Sequence, residues 1–380
     1  MTTKSMTSTR VAATAVKALK ILFALGMATQ VNRFLNRLAL NYWHLRRQGK
    51  PWEFQTEGKE TIVVTGGCSG FGKAMVDMFA AKTKANLVVL DVQQLPDDMK
   101  NIPRLSYFQT DLTSPTSITA TTTSLLESIH PAPTVLINNA GIAQAHTILG
   151  TSDAFLEKIF RVNVLSHFTL IRLLLPHMLA MRKGHIVSLA SMASFTGVAG
   201  LADYSASKAA VLGLHESLVQ ELGHRYGGDE GVKGGVTNTA STSASASASA
   251  STSSGTTTST LPPAPPPPTI TTPPTTIDPG HTIQASIIHP MWARTPLINT
   301  WESALDGSGQ PVLTAQDVAR RVVDQVLSGR SGSVYIPEKM WTGTLLRVLP
   351  EWVAIWIRGG VQNATATAMG ASSTMGATDM

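Results

Sequence analysis

The sequence predicts an α/β fold: one parallel sheet, doubly wound, with helices on both faces. Two observations predict it. From Thr61 onward, short and almost wholly apolar β-branched runs alternate with longer helix-patterned stretches, as strands buried on both faces require. The first of those runs ends in a glycine-punctuated stretch, Thr65-Gly66-Gly67-Cys68-Ser69-Gly70-Phe71-Gly72, which leads into an amphipathic run from Lys73 to Lys82. That is strand, tight turn, helix.

The elements follow in order. Strands are expected at Thr61–Thr65, Asn86–Leu90, Leu105–Gln109, Thr134–Ile137 and His185–Leu189. Helices are expected at about 70–83, 115–129, 152–181, with a kink at Pro176, and 203–226. Right-handed crossovers wind such units into one sheet, whose ligands bind at the carboxyl ends of the strands. The pattern stops after Tyr226. Residues 227–280 hold a Ser-Ala repeat, a Thr/Ser tract and the proline run 262–268, none of which can bury a core. A disordered insertion is expected there, its prolines a weak candidate ligand for a partner. The fold resumes with a strand Thr282–Ile288, an apolar loop, a helix at about 314–328 and a strand Ser333–Ile336.

The 380 residues are 43% hydrophobic, enough for a full core, and the net charge of +6 raises nucleic acid or an anionic membrane surface as partners. The charge is localised. No acidic residue precedes Glu53, whereas nine Lys and Arg do, and without them the rest of the chain carries −3. A nucleic-acid-binding core is excluded on that distribution. The arm, residues 1–58, also holds the apolar patch 21–28, flanked by Lys17, Lys20 and Arg33, too short for a full bilayer span. An interfacial membrane anchor, a transit peptide and a plain surface helix all fit it. The C-terminal region, 337–380, begins with a Trp-rich apolar stretch over 340–357, interrupted by Pro350, and ends in a small, polar tail expected to be disordered. Its tryptophans suit either a membrane interface or a helix covering a cleft. The single cysteine, Cys68, excludes an internal disulfide and gives no support to a metal site.

Chemistry-bearing residues stand after the strands. The glycines of the first turn allow positive φ and close approach to a bound group, and the helix that follows offers N–H groups to a pyrophosphate. Asp91, about 20 residues beyond, is placed to accept hydrogen bonds from an adenosine ribose and to repel a 2′-phosphate. Asp111 is a candidate for the adenine amino group. After the fourth strand, Asn138-Asn139-Ala140-Gly141 allows approach to a flat ring and ribose. The sharpest constellation is Tyr204 and Lys208, four apart and so on one helix face. A nearby ammonium lowers a phenol's pKa and suits the pair to proton transfer with an alcohol or carbonyl oxygen. Ser191, just past the fifth strand, can orient that oxygen, with Ser188 and Ser194 as chemical rivals. Asn163, polar between Val162 and Val164, can hold a water that relays protons from Lys208.

Together these residues resemble the short-chain dehydrogenase/reductase family over about 59–226 and 281–336. The resemblance implies a single Rossmann-type domain over 59–336, with Tyr204 as acid/base and Ser191 positioning the substrate. Lys208 would lower the tyrosine pKa and bind the nicotinamide ribose, and Asn163 would support the proton relay. The family's serine-to-tyrosine spacing selects Ser191. The implied cofactor site comprises Thr65, Gly66, Gly70, Phe71, Gly72, Asp91, Asp111, Asn138, Ala140, Gly141, Tyr204 and Lys208. Pro290 and Thr295 join it from a loop similar to the family's Pro-Gly loop, although Met291 replaces the glycine. The implied cofactor is NAD in preference to NADP, with no metal. Within the family the chain is similar to the membrane-associated retinol and 17β-hydroxysteroid dehydrogenase-like branch, and the apolar loop 290–313 fits a lipophilic alcohol or ketone. That implies a membrane surface as partner, at the endoplasmic reticulum or a lipid droplet with the mitochondrion as alternative, and is compatible with a homodimer. An NADPH-dependent carbonyl reductase and a non-catalytic membrane scaffold of the same fold are the competing readings.

Overall fold

Every apolar run expected as a strand pairs in one sheet. The computed structural model describes residues 2–226, 278–298 and 312–359, with side chains from residue 16 onward. Most of the expected insertion (227–277), much of the substrate loop (299–311, with Trp301) and the tail from 360 lie outside the described residues.

The chain divides into two units, Met1–Gln48 and Gly49–Met380. The first holds one long helix, α1 (Thr2–Ala39), about 57 Å at the usual rise per residue. The apolar patch 21–28 lies mid-helix with Ile21, Leu22, Phe23 and Leu25 all exposed. The arm is shorter than the expected 1–58, because residues 49–58 belong to the second unit. Trp52 stacks on Phe54 at 5.1 Å, and Lys84 N–H donates to the Phe54 carbonyl.

In the second unit the strands are β1 (Thr61–Thr65), β2 (Asn86–Asp91), β3 (Leu105–Gln109), β4 (Val135–Asn138), β5 (Gly184–Leu189) and β6 (Ile283–Pro290). A two-residue ladder joins β7 (Ala293–Arg294) to β8 (Leu313–Thr314), and β9 (Gly332–Ile336) closes the main sheet. The seven-stranded order is β3-β2-β1-β4-β5-β6-β9, with every pairing parallel. β1 and β4 are therefore neighbours where the winding reverses, which puts a crevice beyond their carboxyl ends.

The helices are α2 (Gly70–Lys82), α3 (Pro115–Ser128), α4 (Asp153–Phe160), α5 (Ser166–Met181), α6 (Ala202–His224), α7 (Ala315–Leu327) and α8 (351–359). On one face of the sheet, Met75 and Phe79 of α2 and Val318, Val322 and Val326 of α7 pack over Ile62 and Val64. Each such fully buried side chain contributes about 1.5–3 kcal/mol. On the other face, Val164 and Val211 pack against Ala190 and Ile287.

The helix expected over 152–181 departs from expectation in one respect. It runs uninterrupted through Pro176, and its irregularity lies earlier, in a π turn over Arg161–Leu165 that separates α4 from α5. The span Asp153–Met181 is long and apolar enough to cross a membrane by composition, but 56% of its most apolar window is buried inside the unit, as a core helix would be. The C-terminal stretch also differs from a single helix: a 3-10 segment covers Glu338–Arg347, and α8 begins only after Pro350. The chain leaves the described residues at Tyr226 and re-enters at Asp278 beside the place it left. Gly280 packs so closely on α6 that an added Cβ would lie 2.1 Å from the Leu222 carbonyl oxygen.

The glycine turn is equally tight. A Cβ on Gly72 would meet the Gly66 carbonyl oxygen at 1.9 Å. Gly72→Ala should therefore cost about 3 kcal/mol or more and lower the melting temperature by roughly 5–10 °C. At Gly213 in α6 an added Cβ meets nothing within 4 Å, so Gly213→Ala should leave the melt unchanged or raise it slightly. Thermal denaturation of both variants checks the contrast.

Candidate active site

A cavity of 1180 Å³ opens beyond the carboxyl ends of the strands. Its walls take Gly66, Gly70 and Phe71 from the turn after β1, Asp91 from the end of β2, and Asp111 from beyond β3. Ala140 and Gly141 enter from beyond β4, Ser191 from beyond β5, Tyr204 and Lys208 from α6, Pro290 from the end of β6 and Thr295 from beyond it.

The turn after β1 is built to accept an anion. Gly66 and Gly70 adopt positive φ (65° and 51°), which side-chain-bearing residues rarely do. The helices α3, α4 and α7 are capped by Ser114, Ser152 and Thr314, each accepting from a first-turn N–H. Ser69 makes no such bond at α2. The first-turn N–H groups of α2 thus stay available, with the helix dipole, at the cavity wall. This cradle fits the pyrophosphate of a dinucleotide.

Three of the expected cofactor residues act from behind the wall. Thr65 Oγ1 accepts from the N–H groups of Asn139 (2.9 Å) and Ala140 (3.0 Å), and so laces the end of β1 to the end of β4. Gly72 supports the turn through its contact with Gly66. Asn138 is fully buried at the end of β4 and lines no cavity. Its neighbour Asn139 is the one at the wall, donating through Nδ2 to the carbonyls of Thr65 (2.9 Å) and Gly66 (3.2 Å). Strand alternation separates the two: Asn138 is still in register with β5, and the next residue turns outward.

Asp91 is buried, and its carboxylate accepts from Cys68 N–H and Gln93 N–H, both at 2.9 Å. That gives Cys68 a structural place. Its thiol is buried and donates to the Gln93 carbonyl at 3.6 Å, while burial and then the Asp91 charge push its pKa up to about 12. A protonated thiol there completes the packing between the glycine turn and the loop after β2. Asp111 is more exposed, and its Oδ1 accepts from Thr113 N–H and hydroxyl.

Of the three candidate serines, Ser191 alone lines the cavity. Ser194 is buried and donates to the Lys208 carbonyl at 2.9 Å, and Ser188 lies within β5. Ser191 also caps the short 3-10 turn that follows it, accepting from Ala193 N–H. Lys208 is buried, with Nζ 5.7 Å from the Tyr204 ring centroid and donating to the Leu189 carbonyl at 2.8 Å. The expected lowering of the Tyr204 pKa is corrected here. Burial of the phenol raises it, and the opposing influence is a hydrogen bond from Ser191 rather than the lysine. Burial in turn lowers Lys208 to about 8.

Asn163 lies in the π turn, fully buried, and is no surface amide. Its Oδ1 accepts from Ile142 N–H (2.8 Å), and its Nδ2 donates to the Ile142 carbonyl and to Ser207 Oγ, both at 3.0 Å. Its amide thereby clamps the loop after β4 to α6. Gly141 lies between Asn163 and Lys208: a Cβ there would sit 3.4 Å from Asn163 Oδ1 and 3.6 Å from Lys208 Nζ.

Buried histidines that sequence reasoning did not single out add to this region: His167 and His289 feel the Lys208 charge, and His215 feels that of His289. His289 Nδ1 lies 3.1 Å from the Ser191 carbonyl, and its ring stacks on Tyr335 at 5.2 Å. Burial lowers His167 to about 3, and His215 and His289 to about 4; the Lys208 charge adds to the effect at His167 and His289. All three remain neutral, and so keep the region around Lys208 free of further positive charge.

A glycine cradle at the winding reversal, opening on a half-buried tyrosine and a buried lysine, marks a dinucleotide-binding α/β enzyme. The short chain dehydrogenase family model matches residues 60–249, half of the chain, and the chain belongs to that family as an NAD(P)-dependent oxidoreductase of CH–OH groups. Dehydrogenase RED2 of Cochliobolus heterostrophus is 33% identical over 203 residues, 53% of this chain and 73% of that protein. Estradiol 17-beta-dehydrogenase 11 of Homo sapiens is 32% identical over 169 residues, 43% of this chain and 56% of its own length. A 4-hydroxyisoleucine dehydrogenase complexed with NADH has a TM-score of 0.53 at 22% identity, covering 73% of this chain and 96% of that one. At that identity the likeness speaks for the fold.

The buried histidines fix a sign for acid stability. An unfolded chain protonates them near pH 6.5, whereas the folded one resists to about 3–4. The unfolded state therefore binds more protons between about pH 4 and 6.5, and stability must fall as pH drops through that window, by up to about 1.4 kcal/mol per pH unit for each histidine. His167→Leu should make the fall shallower by about one proton's worth. Urea denaturation at pH 4.5, 5.5 and 6.5 reads this, and an unchanged slope in the variant would remove His167 from the account.

Proposed function

We propose that the chain is an NAD(H)-dependent oxidoreductase of a lipophilic secondary or primary alcohol, or its carbonyl, working at a membrane surface. The observation that carries the reading is the convergence of Ser191, Tyr204 and Lys208 on the same cavity as the glycine cradle. When bound, the nicotinamide supplies or accepts the hydride at the substrate carbon. The chain's own groups do the rest. Ser191 Oγ hydrogen-bonds the substrate oxygen and holds it at the Tyr204 phenol. Tyr204 gives that oxygen a proton in reduction and removes one in oxidation. The elevated phenol pKa keeps Tyr204 a ready donor at neutral pH, so reduction is favoured by lower pH and oxidation by higher. Lys208 places positive charge beneath the ring and binds the nicotinamide ribose, and Asn163 positions the loop at Ile142 and Gly141 that borders them.

The preference for NAD rests on Asp91. Its carboxylate oxygens each accept one backbone N–H, which leaves lone pairs for ribose hydroxyls and a negative charge against a 2′-phosphate. Thr295, which packs near Gly70, is the residue proposed for the carboxamide. The lipophilic class is supported by an apolar part of the cavity wall, where Leu201 and Ile298 are buried among Val198, Trp292 and Leu297. The likeness to an estradiol dehydrogenase points the same way.

Tyr204→Phe should reduce turnover of a lipophilic alcohol by about 10³-fold or more, since it removes the only proposed acid/base, while NADH affinity measured by fluorescence stays within about threefold. Wild-type-like turnover in that variant would sink the mechanism. Asp91→Ala should weaken NAD binding and raise the NADP-to-NAD ratio of kcat/KM by about tenfold or more; side-by-side kinetics with both cofactors measure it, and an unchanged ratio counts against Asp91 at the ribose.

A further inference from the structure

Two stretches far apart in sequence, each holding or adjoining residues that line a groove beside the cavity, present bare apolar side chains. In the turn after β4, Ile148 and Leu149 are 76% and 99% exposed. In the C-terminal segment, Val348, Trp352 and Trp356 are 76%, 75% and 77% exposed. Trp352 and Trp356 stand four apart in α8 and share a face. A groove of 680 Å³ is lined by Ile148 and Leu149 together with Arg347 and Arg358, which flank or belong to the second stretch. Arg358 lines the main cavity as well, so groove and cavity share a wall.

The charge of this groove selects its partner. Among the described residues, no carboxylate lines it. Arg347 donates to the Ser194 and Phe195 carbonyls (2.8 and 3.2 Å), which leave its charge uncompensated. Arg358 has a buried Nε without a hydrogen-bond partner, and its contact with Glu351 is long at 4.0 Å. Guanidinium groups bind phosphate oxygens in paired geometry. Indoles settle at the headgroup level of a bilayer, and exposed aliphatic side chains enter the acyl boundary beneath it. We propose that this rim, Ile148, Leu149, Val348, Trp352 and Trp356 around Arg347 and Arg358, docks the domain on an anionic phospholipid surface. The cavity mouth then meets the bilayer, and a lipophilic molecule passes from the acyl chains into the site without crossing water; that last step rests on the substrate class proposed above. Arg347 joins the two functions, because the guanidinium offered to headgroups also holds the loop that follows Ser191.

The basic N-terminal arm is a separate candidate for membrane contact, so the test reads the indoles themselves. The full-length chain and its Trp352→Phe/Trp356→Phe variant are mixed with vesicles of acyl-brominated phosphatidylcholine, with and without phosphatidylserine. Tryptophan emission of the parent chain should be quenched, binding should tighten about tenfold with phosphatidylserine, and the variant should lose most of the quenching. Leu149→Ser/Trp352→Ser/Trp356→Ser should partition about tenfold more weakly. Equal quenching in parent and Phe variant, or equal binding to both vesicle types, overturns the assignment. So does a loss of self-association in sedimentation without any change in vesicle binding, which would make the rim an interface between copies. None of these readouts uses turnover, so their failure leaves the oxidoreductase reading standing, and an inactive chain that still docks would do the reverse.

Discussion

The Thr65 hydroxyl is the point on which the site depends. It sits where β1 and β4 diverge and accepts two N–H groups from the loop after β4, at 2.9 and 3.0 Å. Asn139 returns the connection by donating to the carbonyls of Thr65 and Gly66. Each bond is worth about 1 kcal/mol net, but a buried N–H left without a partner costs about 1–3. The lacing therefore fixes the separation of two strand ends that would otherwise splay where the winding reverses. The cradle on one side and the tyrosine–lysine pair on the other are held in register through it, since β4 also sets the position of β5.

Beneath the cavity floor lies a polar layer that the low dielectric makes demanding. Asn163, Ser207, Ser194 and Lys208 are all buried. The π turn at Arg161–Leu165 brings Asn163 inward, where its amide meets both backbone groups of Ile142. A buried ammonium is costly, and its pKa near 8 is the measure of that cost. Neutral histidines around it avoid adding to the repulsion. Partial removal from water likewise makes the Tyr204 phenol reluctant to ionise.

Much of this was legible in the amino-acid order, for identifiable reasons. β1, β4 and β5 are buried throughout, so their apolar runs could be read without knowing the partner strands. The cradle and the Tyr204–Lys208 spacing are local, and local patterns survive folding. What depended on three dimensions did not read out. Hydrophobic period does not report a change of hydrogen-bond register, so the π turn was invisible, and Pro176, the obvious breaker, interrupts nothing. Asn138 and Asn139 differ only in which side of the strand end they face. The pairing of Tyr204 with Lys208 suggested a lowered phenol pKa, but the balance between charge and desolvation is set by burial. Cys68 made sense only once Asp91 and the Gln93 carbonyl were seen around it.

In the reading proposed above, chemistry and substrate choice are carried by different lengths of chain. The cradle, Asp91, Ser191, Tyr204 and Lys208 all fall within 60–249, the stretch shared with the family. Much of the apolar cavity wall is supplied from beyond it, by Pro296–Ile298 and by Met340, Leu346 and Ile357 of the C-terminal segment. Arg347 ties the C-terminal segment to the loop after Ser191 by donating to the Ser194 and Phe195 carbonyls. Substitutions in that wall can reshape the substrate cavity while leaving the Thr65 lacing and the polar floor intact. A chain built this way can retune what it binds without disturbing the proton and hydride chemistry, and the cavity wall it varies is continuous with the surface that faces its surroundings.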